Sequence, residues 1–174
     1  MQDRKLIVLR GPSGSGKSSA AKKIREAMGW GTAIIEQDYL RRFVLREKDI
    51  PGGLNIKLIK RTVFFLLENS YDVVMEGIFD SDRYSEMFKE IIAKHPDNNF
   101  FYYFDIPLEE TLRRHQFKEN RHDFGEEEMT QWYKEKDFLD FVQERVIPEN
   151  YTLEDTVQAV VTESSSAVAQ SLSN

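Results

Sequence analysis

The chain has 174 residues, of which 40% are hydrophobic and 31% are charged, and its net charge is -6. This length is typical of one domain, and the absence of cysteine excludes disulfide frameworks, thiolate metal sites and cysteine nucleophiles. The negative charge argues against long nucleic acid as a partner. No apolar run approaches the roughly 20 residues of a membrane span, and the first run is too short for a signal peptide. We therefore expect a cytoplasmic protein without a membrane partner.

Apolar runs alternate with amphipathic segments along the chain. Strands are predicted at 5–10, 32–37, 71–77, 99–106 and 144–149. Helices are predicted at 16–28, 55–69, 82–95, 107–120 and 152–164, with a short helix in "YLRRFVLRE" and another after "DFG". The strands are almost continuously apolar, as burial on both faces of a parallel sheet requires. The order predicts an α/β fold with helices on both faces of the sheet, in one domain over 1–164, followed by a frayed Ser-rich tail over 165–174.

The stretch "GPSGSGKSS" follows the first predicted strand and opens the first helix, and it fits the pattern G-x-x-x-x-G-K-[ST]. Glycine lets backbone N–H groups converge on one oxyanion, and the helix N-terminus adds partial positive charge. A glycine-rich turn formed by chance is the alternative, which the flanking strand and helix disfavour. The predicted nucleotide-binding residues are Gly11, Ser13, Gly14, Ser15, Gly16, Lys17, Ser18 and Ser19.

Within this loop, individual side chains have different expected roles. Lys17 is expected to reach the β- and γ-phosphates of a nucleotide, and Ser18 to bind Mg²⁺. Ser13 and Ser15 could instead be small residues that only fill the loop.

Other sequence features choose among the classes of nucleotide-binding protein. A GTPase would carry a guanine-reading Asn-Lys-x-Asp, which this sequence lacks. Motors and transporters have larger chains and an extended strand that ends in "DE". The third strand here ends "VVMEG", which places Glu76 at the carboxyl end of a parallel strand, facing the cleft. Glu76 is expected to hold Mg²⁺ through water or to bind an acceptor, and the alternative is a solvated strand terminus.

The second strand ends in "IIEQDYLRR", which places Asp38 at the same edge of the sheet. A kinase that acts on a hydroxyl needs a carboxylate to orient that hydroxyl and to take its proton. Asp38 is the candidate base, although it could also be the N-cap of the following helix. Arg41 and Arg42 lie one helical turn further on, and one of them is expected to hold the acceptor. Surface charge is the alternative for both arginines.

A cationic segment over 113–125, "RRHQFKENRHDFG", is a predicted lid. Within 113–121 four cations oppose one acid, Glu119. Such a segment can close over a nucleotide and stabilise the charge that spreads over a moving phosphoryl group. A solvated helix face is the alternative. Trp132 and Tyr133 follow this segment, and either core packing or the lining of an acceptor pocket would explain them.

Four stretches in this order, "GPSGSGKSS", "IIEQDYLRR", "VVMEGIFDSDRY" and "YYFDIPLEETLRRH", resemble the small P-loop kinases. The most similar group is that of zeta toxins, chloramphenicol phosphotransferase and the kinase half of polynucleotide kinase, and the resemblance covers residues 4–160. It implies a five-stranded parallel sheet in order 2-3-1-4-5 and ATP–Mg²⁺ as the phosphate donor. It also implies contact of Asp38 with the acceptor hydroxyl, and lid arginines at Arg114 and Arg121.

The chain departs from the pattern of this group at two places. The third strand ends with Glu76 where many of these kinases carry Asp. In the lid, Lys118 stands between Arg114 and Arg121, at the place where a second arginine might be expected. Preference for adenine is therefore implied by the resemblance alone.

These features predict an ATP-dependent kinase that transfers the γ-phosphate to a hydroxyl of a small molecule or nucleotide derivative. The predicted roles are phosphate binding by Lys17, metal binding by Ser18 and Glu76, and acceptor positioning by Asp38. The segment "REKDIPGGLN" is the expected acceptor-selecting loop. Two alternatives stay open, namely a 5′-hydroxyl nucleic-acid kinase and a nucleotide-binding sensor domain without catalysis. The sequence leaves the acceptor and the oligomeric state undetermined.

Overall fold

The structure is a computed structural model that describes residues 4–117 and 124–171, with side chains described as far as residue 166. The strands are β1 (Leu6–Arg10), β2 (Thr32–Glu36), β3 (Asp72–Glu76), β4 (Asn99–Asp105) and β5 (Arg145–Pro148). The α-helices are α1 (Lys17–Met28), α2 (Leu54–Glu68), α3 (Ser81–Lys94), α4 (Leu108–His115), α5 (Glu126–Trp132) and α6 (Leu153–Ser171). A π-helix over Tyr39–Leu45 lies between β2 and α2.

The five strands form one sheet in the order β2-β3-β1-β4-β5, and every neighbouring pair is parallel. This order confirms the predicted topology. Glu76 of β3 pairs with Leu9 of β1 and with Glu36 of β2, so three strands end at the same level. Residues that follow these ends are thereby brought to one edge of the sheet, where ligands of open α/β sheets bind.

Side chains of β1 alternate between two apolar cores, one on each face of the sheet. Leu6 and Val8 belong to a cluster with residues of α2 and α3, whereas Ile7 and Leu9 belong to a cluster with residues of α1 and α6. All four side chains are fully buried. At about 1.5–3 kcal/mol for each large apolar side chain, this burial explains why the central strand is apolar without alternation.

The last residue of β1 is polar and fully buried. Arg10 donates to both carboxylate oxygens of Glu144 at 2.8 and 2.9 Å, and to Asp137 at 3.2 Å. It also donates to the carbonyl of Phe79 at 2.8 Å from Nη2 and 3.1 Å from Nε. The segment between α5 and β5 is therefore bound to the end of the central strand by charge-assisted hydrogen bonds.

The predicted elements are all present, with differences at their ends. Helix α4 ends at His115 rather than near residue 120. Helix α6 continues to Ser171, although the Ser-rich composition led us to expect a frayed tail from 165 onward. Serine has only a moderate helix penalty, and alanines and a glutamine are interspersed there, which explains the extension. Over the described residues, no helix has both the length and the apolarity needed to cross a membrane.

Candidate active site

The loop between β1 and α1 has the conformation that its glycines allow. Gly11 and Gly14 have φ of +137° and +83°, where other L-residues are strained. A Cβ at Gly11 would lie 2.7 Å from the carbonyl oxygen of Phe104, and one at Gly14 would lie 2.6 Å from that of Thr111. Only glycine therefore fits at these two positions, between β4, α4 and the loop itself. Gly16 directly precedes α1 and has no side-chain cap.

Lys17 and Ser18 point their polar atoms toward the loop and the end of β3. Lys17 is buried, and its Nζ donates to the carbonyl of Pro12 at 2.6 Å and to Ser15 Oγ at 3.1 Å. The Ser18 hydroxyl donates to Glu76 Oε1 at 3.0 Å. A cation and a hydroxyl–carboxylate pair are thus placed directly beside the N-terminus of α1.

Glu76 is only 6% exposed, which contradicts the alternative of a solvated strand terminus. Burial raises the pKa of this carboxyl, while the nearby charge of Lys17 and the hydrogen bond from Ser18 act in the opposite direction. Paired hydroxyl and carboxylate oxygens suit Mg²⁺, which commonly takes one or two protein carboxylates and completes its shell with phosphates and water. The two predicted metal residues therefore fit this ion by their chemistry and their proximity.

Asp38 lies just beyond β2, at the start of the π-helix, and its side chain makes no capping hydrogen bond. Its carboxylate instead pairs with Arg41 Nη2 at 2.7 Å and lies 3.4 Å from Arg42 Nε. The side chain of Asp38 is half exposed. Both arginines thus surround a carboxylate that remains open to solvent, and neither is an isolated surface charge. Wide π-helical turns are frequent at functional sites.

Arg42 also connects the π-helix to the end of the predicted lid. Its guanidinium lies 5.2 Å from the ring centre of Phe124 and 5.8 Å from that of Trp132, and the two rings are 5.2 Å apart. His115 stacks on Phe124 from the side of α4 at 4.6 Å. Trp132 is 37% exposed and faces a cleft, which favours a pocket-lining role over core packing.

Two clefts meet at Asp38. The loop cleft has a volume of about 260 Å³ and is lined by Gly14, Gly16, Lys17, Ser18 and Glu76. The arginine cleft has a volume of about 430 Å³ and is lined by Arg41, Lys48, Asp49, Arg83, Trp132 and Lys134. Both clefts are lined by Ser13, Gln37, Asp38, Arg42 and Ile78. The loop cleft and the arginine cleft therefore adjoin each other, and Asp38 lies on their boundary.

Arg114 lies elsewhere, beside a side pocket of about 230 Å³ that also includes Ser15, Gly16, Ser19 and Tyr151. Its guanidinium donates to Glu110 at 2.6 Å, to the carbonyl of Ser15 at 3.2 Å and to that of Glu149 at 3.3 Å. Arg113 and Arg114 together lower the pKa of Glu110 to about 2. Arg114 therefore contacts the glycine loop over 11–19, on the side of the loop that faces this pocket. Arg121 and Lys118 lie outside the described residues.

Sequence reasoning missed a set of polar residues behind the arginine cleft. The Tyr84 hydroxyl donates to Asp49 at 2.7 Å and accepts from Gln37 at 2.9 Å and from Asn55 at 2.7 Å. Asp49 also accepts from Arg83 at 3.0 Å. The segment predicted to select the acceptor is therefore held by α2, α3 and the end of β2. The stretch "DSDRY" after β3 was a usable signal, because it starts at the same edge of the sheet.

Comparisons with known proteins bear on the fold. No protein-family profile and no curated protein matches the chain. Among solved structures, the chain is similar to the APS kinase of Mycobacterium tuberculosis in complex with AMPPNP and APS, at 16% identity and a TM-score of 0.70, covering 91% of this chain and 96% of that one. It is also similar to a gluconokinase from Sinorhizobium meliloti, at 17% identity and a TM-score of 0.61, covering 98% and 94%.

A third similar structure is the tunicamycin resistance protein of Deinococcus radiodurans, at 14% identity and a TM-score of 0.61, covering 92% of this chain and 95% of that one. At these identities the likeness concerns the fold. The sheet order, the glycine loop and these neighbours agree, and the protein has the fold of the small P-loop kinases.

Proposed function

We propose that the protein is an ATP-dependent kinase that transfers the γ-phosphate to a hydroxyl of a small molecule or nucleotide derivative. The observation that supports this proposal best is the position of Asp38 on the boundary between the loop cleft and the arginine cleft. A nucleotide sensor needs only the loop cleft, whereas a kinase needs a second site for the acceptor beside the phosphates, which the arginine cleft would provide. The fold neighbours include structures described as kinases of APS, gluconate and a sugar.

On the donor side, the loop over 11–19 would bind the phosphates of ATP through its backbone N–H groups and Lys17. Ser18 and Glu76 would hold Mg²⁺, which supplies neutralisation of the phosphate charge when it is bound. The side pocket at Ser15, Ser19 and Arg114 would take the nucleoside, because it adjoins the same loop on its other side. Arginine guanidinium planes stack well on bases, which suits Arg114 to this place.

On the acceptor side, Asp38 would orient the hydroxyl and accept its proton as the oxygen attacks the γ-phosphorus. The bond from the γ-phosphorus to the bridging oxygen breaks, and ADP leaves. Arg41 and Arg42 hold the Asp38 carboxylate in place and line the arginine cleft. The segment over 113–125, with Arg121, would close over the nucleotide as a lid on a single kinase domain of residues 1–164.

Incubation of the protein with ATP–Mg²⁺ and a broad metabolite pool, followed by mass spectrometry, tests this proposal. We expect a gain of one phosphate on a small set of metabolites. Asp38→Asn should retain nucleotide affinity and lose at least about a hundredfold in transfer, the usual size of a general-base contribution. Asp97→Asn, at an exposed position outside the clefts, is the matched control.

Three outcomes would count against the proposal or redirect it. Transfer by Asp38→Asn at the wild-type rate would remove the base assignment. Phosphate gain only on a 5′-hydroxyl oligonucleotide, added in a parallel reaction, would favour the nucleic-acid kinase. Tight ATP binding without transfer to any metabolite or oligonucleotide would favour the sensor domain.

A further inference from the structure

We infer that the acceptor carries an anionic group, a phosphate or a carboxylate, in addition to the hydroxyl that is phosphorylated, and that Arg83 and Lys134 bind this group in the arginine cleft. The inference rests on the proposed function, because it names the class of acceptor. Both cations line the arginine cleft, and neither lines the loop cleft. They come from α3 and from the segment after α5, which are far apart in the sequence.

A buried carboxylate holds these two cations side by side. Asp80 is 4% exposed and caps α3 by accepting from the backbone N–H of Asp82. Lys134 Nζ lies 2.8 Å from Asp80 Oδ1, and Arg83 Nη2 lies 3.6 Å from Asp80 Oδ2. Asp49 fixes the other end of the Arg83 guanidinium at 3.0 Å. Side chains held in this way lose little conformational entropy when an anion binds.

The charge balance of the arginine cleft also favours an anion. Its lining has five cationic side chains, namely Arg41, Arg42, Lys48, Arg83 and Lys134, and three carboxylates, namely Asp38, Asp49 and Asp80. Adding Asp82, which accepts from Lys134 at 2.6 Å outside the lining, still leaves one positive charge in excess. The whole chain has a net charge of -6, so the excess is local to this cleft. A local excess of positive charge in a cleft raises the local concentration of anionic ligands.

The position of the cations relative to Asp38 decides which part of the acceptor they bind. Asp38 lines both clefts, so the reacting hydroxyl belongs at the boundary between the loop cleft and the arginine cleft. Arg83 and Lys134 belong to the arginine cleft alone, and the anionic group therefore lies on the part of the acceptor that points away from the donor. Lys48 is exposed and has no hydrogen-bond or ion-pair partner among the described residues, which leaves it available to the same group.

Calorimetric titration of the full chain tests the inference. The protein is first saturated with AMPPNP and Mg²⁺ so that the loop cleft is occupied. Inorganic phosphate or acetate is then added at neutral pH. We expect Arg83→Gln and Lys134→Gln each to weaken binding of the preferred anion about tenfold, as loss of one charge-assisted hydrogen bond predicts. Arg83→Lys, which keeps the charge, should retain most of the affinity.

The matched control is Lys89→Gln, because Lys89 lies on the same helix as Arg83 and pairs with Glu86 but does not line the cleft. It should bind phosphate and acetate as the wild type does. Stronger binding of phosphate than acetate identifies a phosphorylated acceptor, and the reverse identifies a carboxylated one. Equal affinities of Arg83→Gln and Lys89→Gln for both anions overturn the inference.

A second measurement separates this inference from the proposed function. Matched alcohols with and without a phosphate or carboxylate are offered together with ATP. Transfer confined to the charged member of each pair supports the inference, and efficient transfer to uncharged members overturns it while the kinase proposal stands. Absence of AMPPNP binding would remove the kinase proposal, and the phosphate comparison between Arg83→Gln and Lys89→Gln would still decide whether the anion site exists.

Discussion

The Ser18 hydroxyl and the Glu76 carboxylate are joined by a hydrogen bond of 3.0 Å, which connects the first turn of α1 to the last residue of β3. The register of the sheet places Glu76 opposite Leu9, two residues before the glycine loop begins. The loop and the carboxylate are therefore positioned by the same pair of strands. This contact brings together the two residues proposed to hold Mg²⁺.

The buried Glu76 carboxyl makes stability depend on pH. Its pKa is raised above the ordinary value of 4.5 by burial, so the folded protein holds this proton to a higher pH than the unfolded chain does. The unfolded chain then binds fewer protons, and the free energy of unfolding falls as pH rises through this window. Glu76→Gln removes the titrating carboxyl, and with it this fall in the free energy of unfolding. We expect the stability of Glu76→Gln relative to wild type to increase as pH rises from about 4.5.

Chemical denaturation at a series of pH values measures this difference. Glu68→Gln, at the exposed end of α2, should show a pH dependence parallel to that of the wild type. Parallel curves for Glu76→Gln as well would show that burial of Glu76 does not shift its titration. In a separate measurement, Glu76→Gln should weaken Mg²⁺-dependent nucleotide binding.

Substitution of Gly14, in the glycine loop, and of Gly31, between α1 and β2, should separate steric exclusion from backbone strain. Gly14→Ala places a Cβ 2.6 Å from the Thr111 carbonyl at φ +83°, whereas Gly31→Ala has a similar φ of +86° and open space around it. Both variants carry the strain of a left-handed alanine, about 1–2 kcal/mol. We expect only Gly14→Ala to lose AMPPNP affinity, by at least about tenfold, in a calorimetric titration. Equal affinities in the two variants would contradict a shape requirement at Gly14.

Tyr84→Phe should reveal the contribution of the polar network behind the arginine cleft. The substitution removes a hydroxyl that bonds Gln37, Asn55 and Asp49, and it takes from the buried Gln37 amide its hydrogen bond to Tyr84, whereas Asn55 and Asp49 keep their bond to each other. A loss of about 1–3 kcal/mol in unfolding free energy is expected. Tyr71→Phe is the control, because Tyr71 is 44% exposed. Denaturant titrations of both variants make the comparison, and an equally small effect would show that the network adds no stability.

Arg10→Leu should destabilise the protein by about 3–5 kcal/mol, because it leaves the buried Glu144 carboxylate without its cation. The double variant Arg10→Leu/Glu144→Leu removes both charges and should recover part of this loss. Urea unfolding of the two variants measures the difference. If the double variant is less stable than Arg10→Leu, packing around the pair rather than the charge determines the effect.

The sequence pattern was sufficient to predict a parallel sheet and the edge at which the site forms, whereas the sheet order was implied by the resemblance to the small P-loop kinases. Continuous apolar strands and alternating helices define the parallel sheet, and the glycine loop, Asp38 and Glu76 each follow a strand end directly. Their proximity therefore follows from topology alone. The contact between Ser18 and Glu76 was not predicted, but both residues were assigned to the metal site, and the structure brings them together.

Residues brought to the site by tertiary packing could not be found in this way. Lys134 follows α5 and reaches the cleft because Arg10 and Ser81 hold Asp137 against the start of α3. This arrangement depends on a polar residue at the end of an apolar strand, which hydrophobic patterning treats only as the strand terminus. Arg114 carried the expected lid charge, yet its place beside the Ser15 carbonyl depends on how α4 packs against the loop.

The separate placement of Arg83 and Lys134 has a consequence for how such a protein can change its substrate. Neither side chain contributes to the loop cleft, and the five lining residues that the two clefts share include Ser13 of the glycine loop but neither of these cations. If these two cations bind the acceptor as proposed, substitutions on α3 and after α5 are expected to alter acceptor choice and to leave the lining of the proposed ATP site unchanged. Under this proposal, specificity evolves on elements that contribute no residue to the loop cleft.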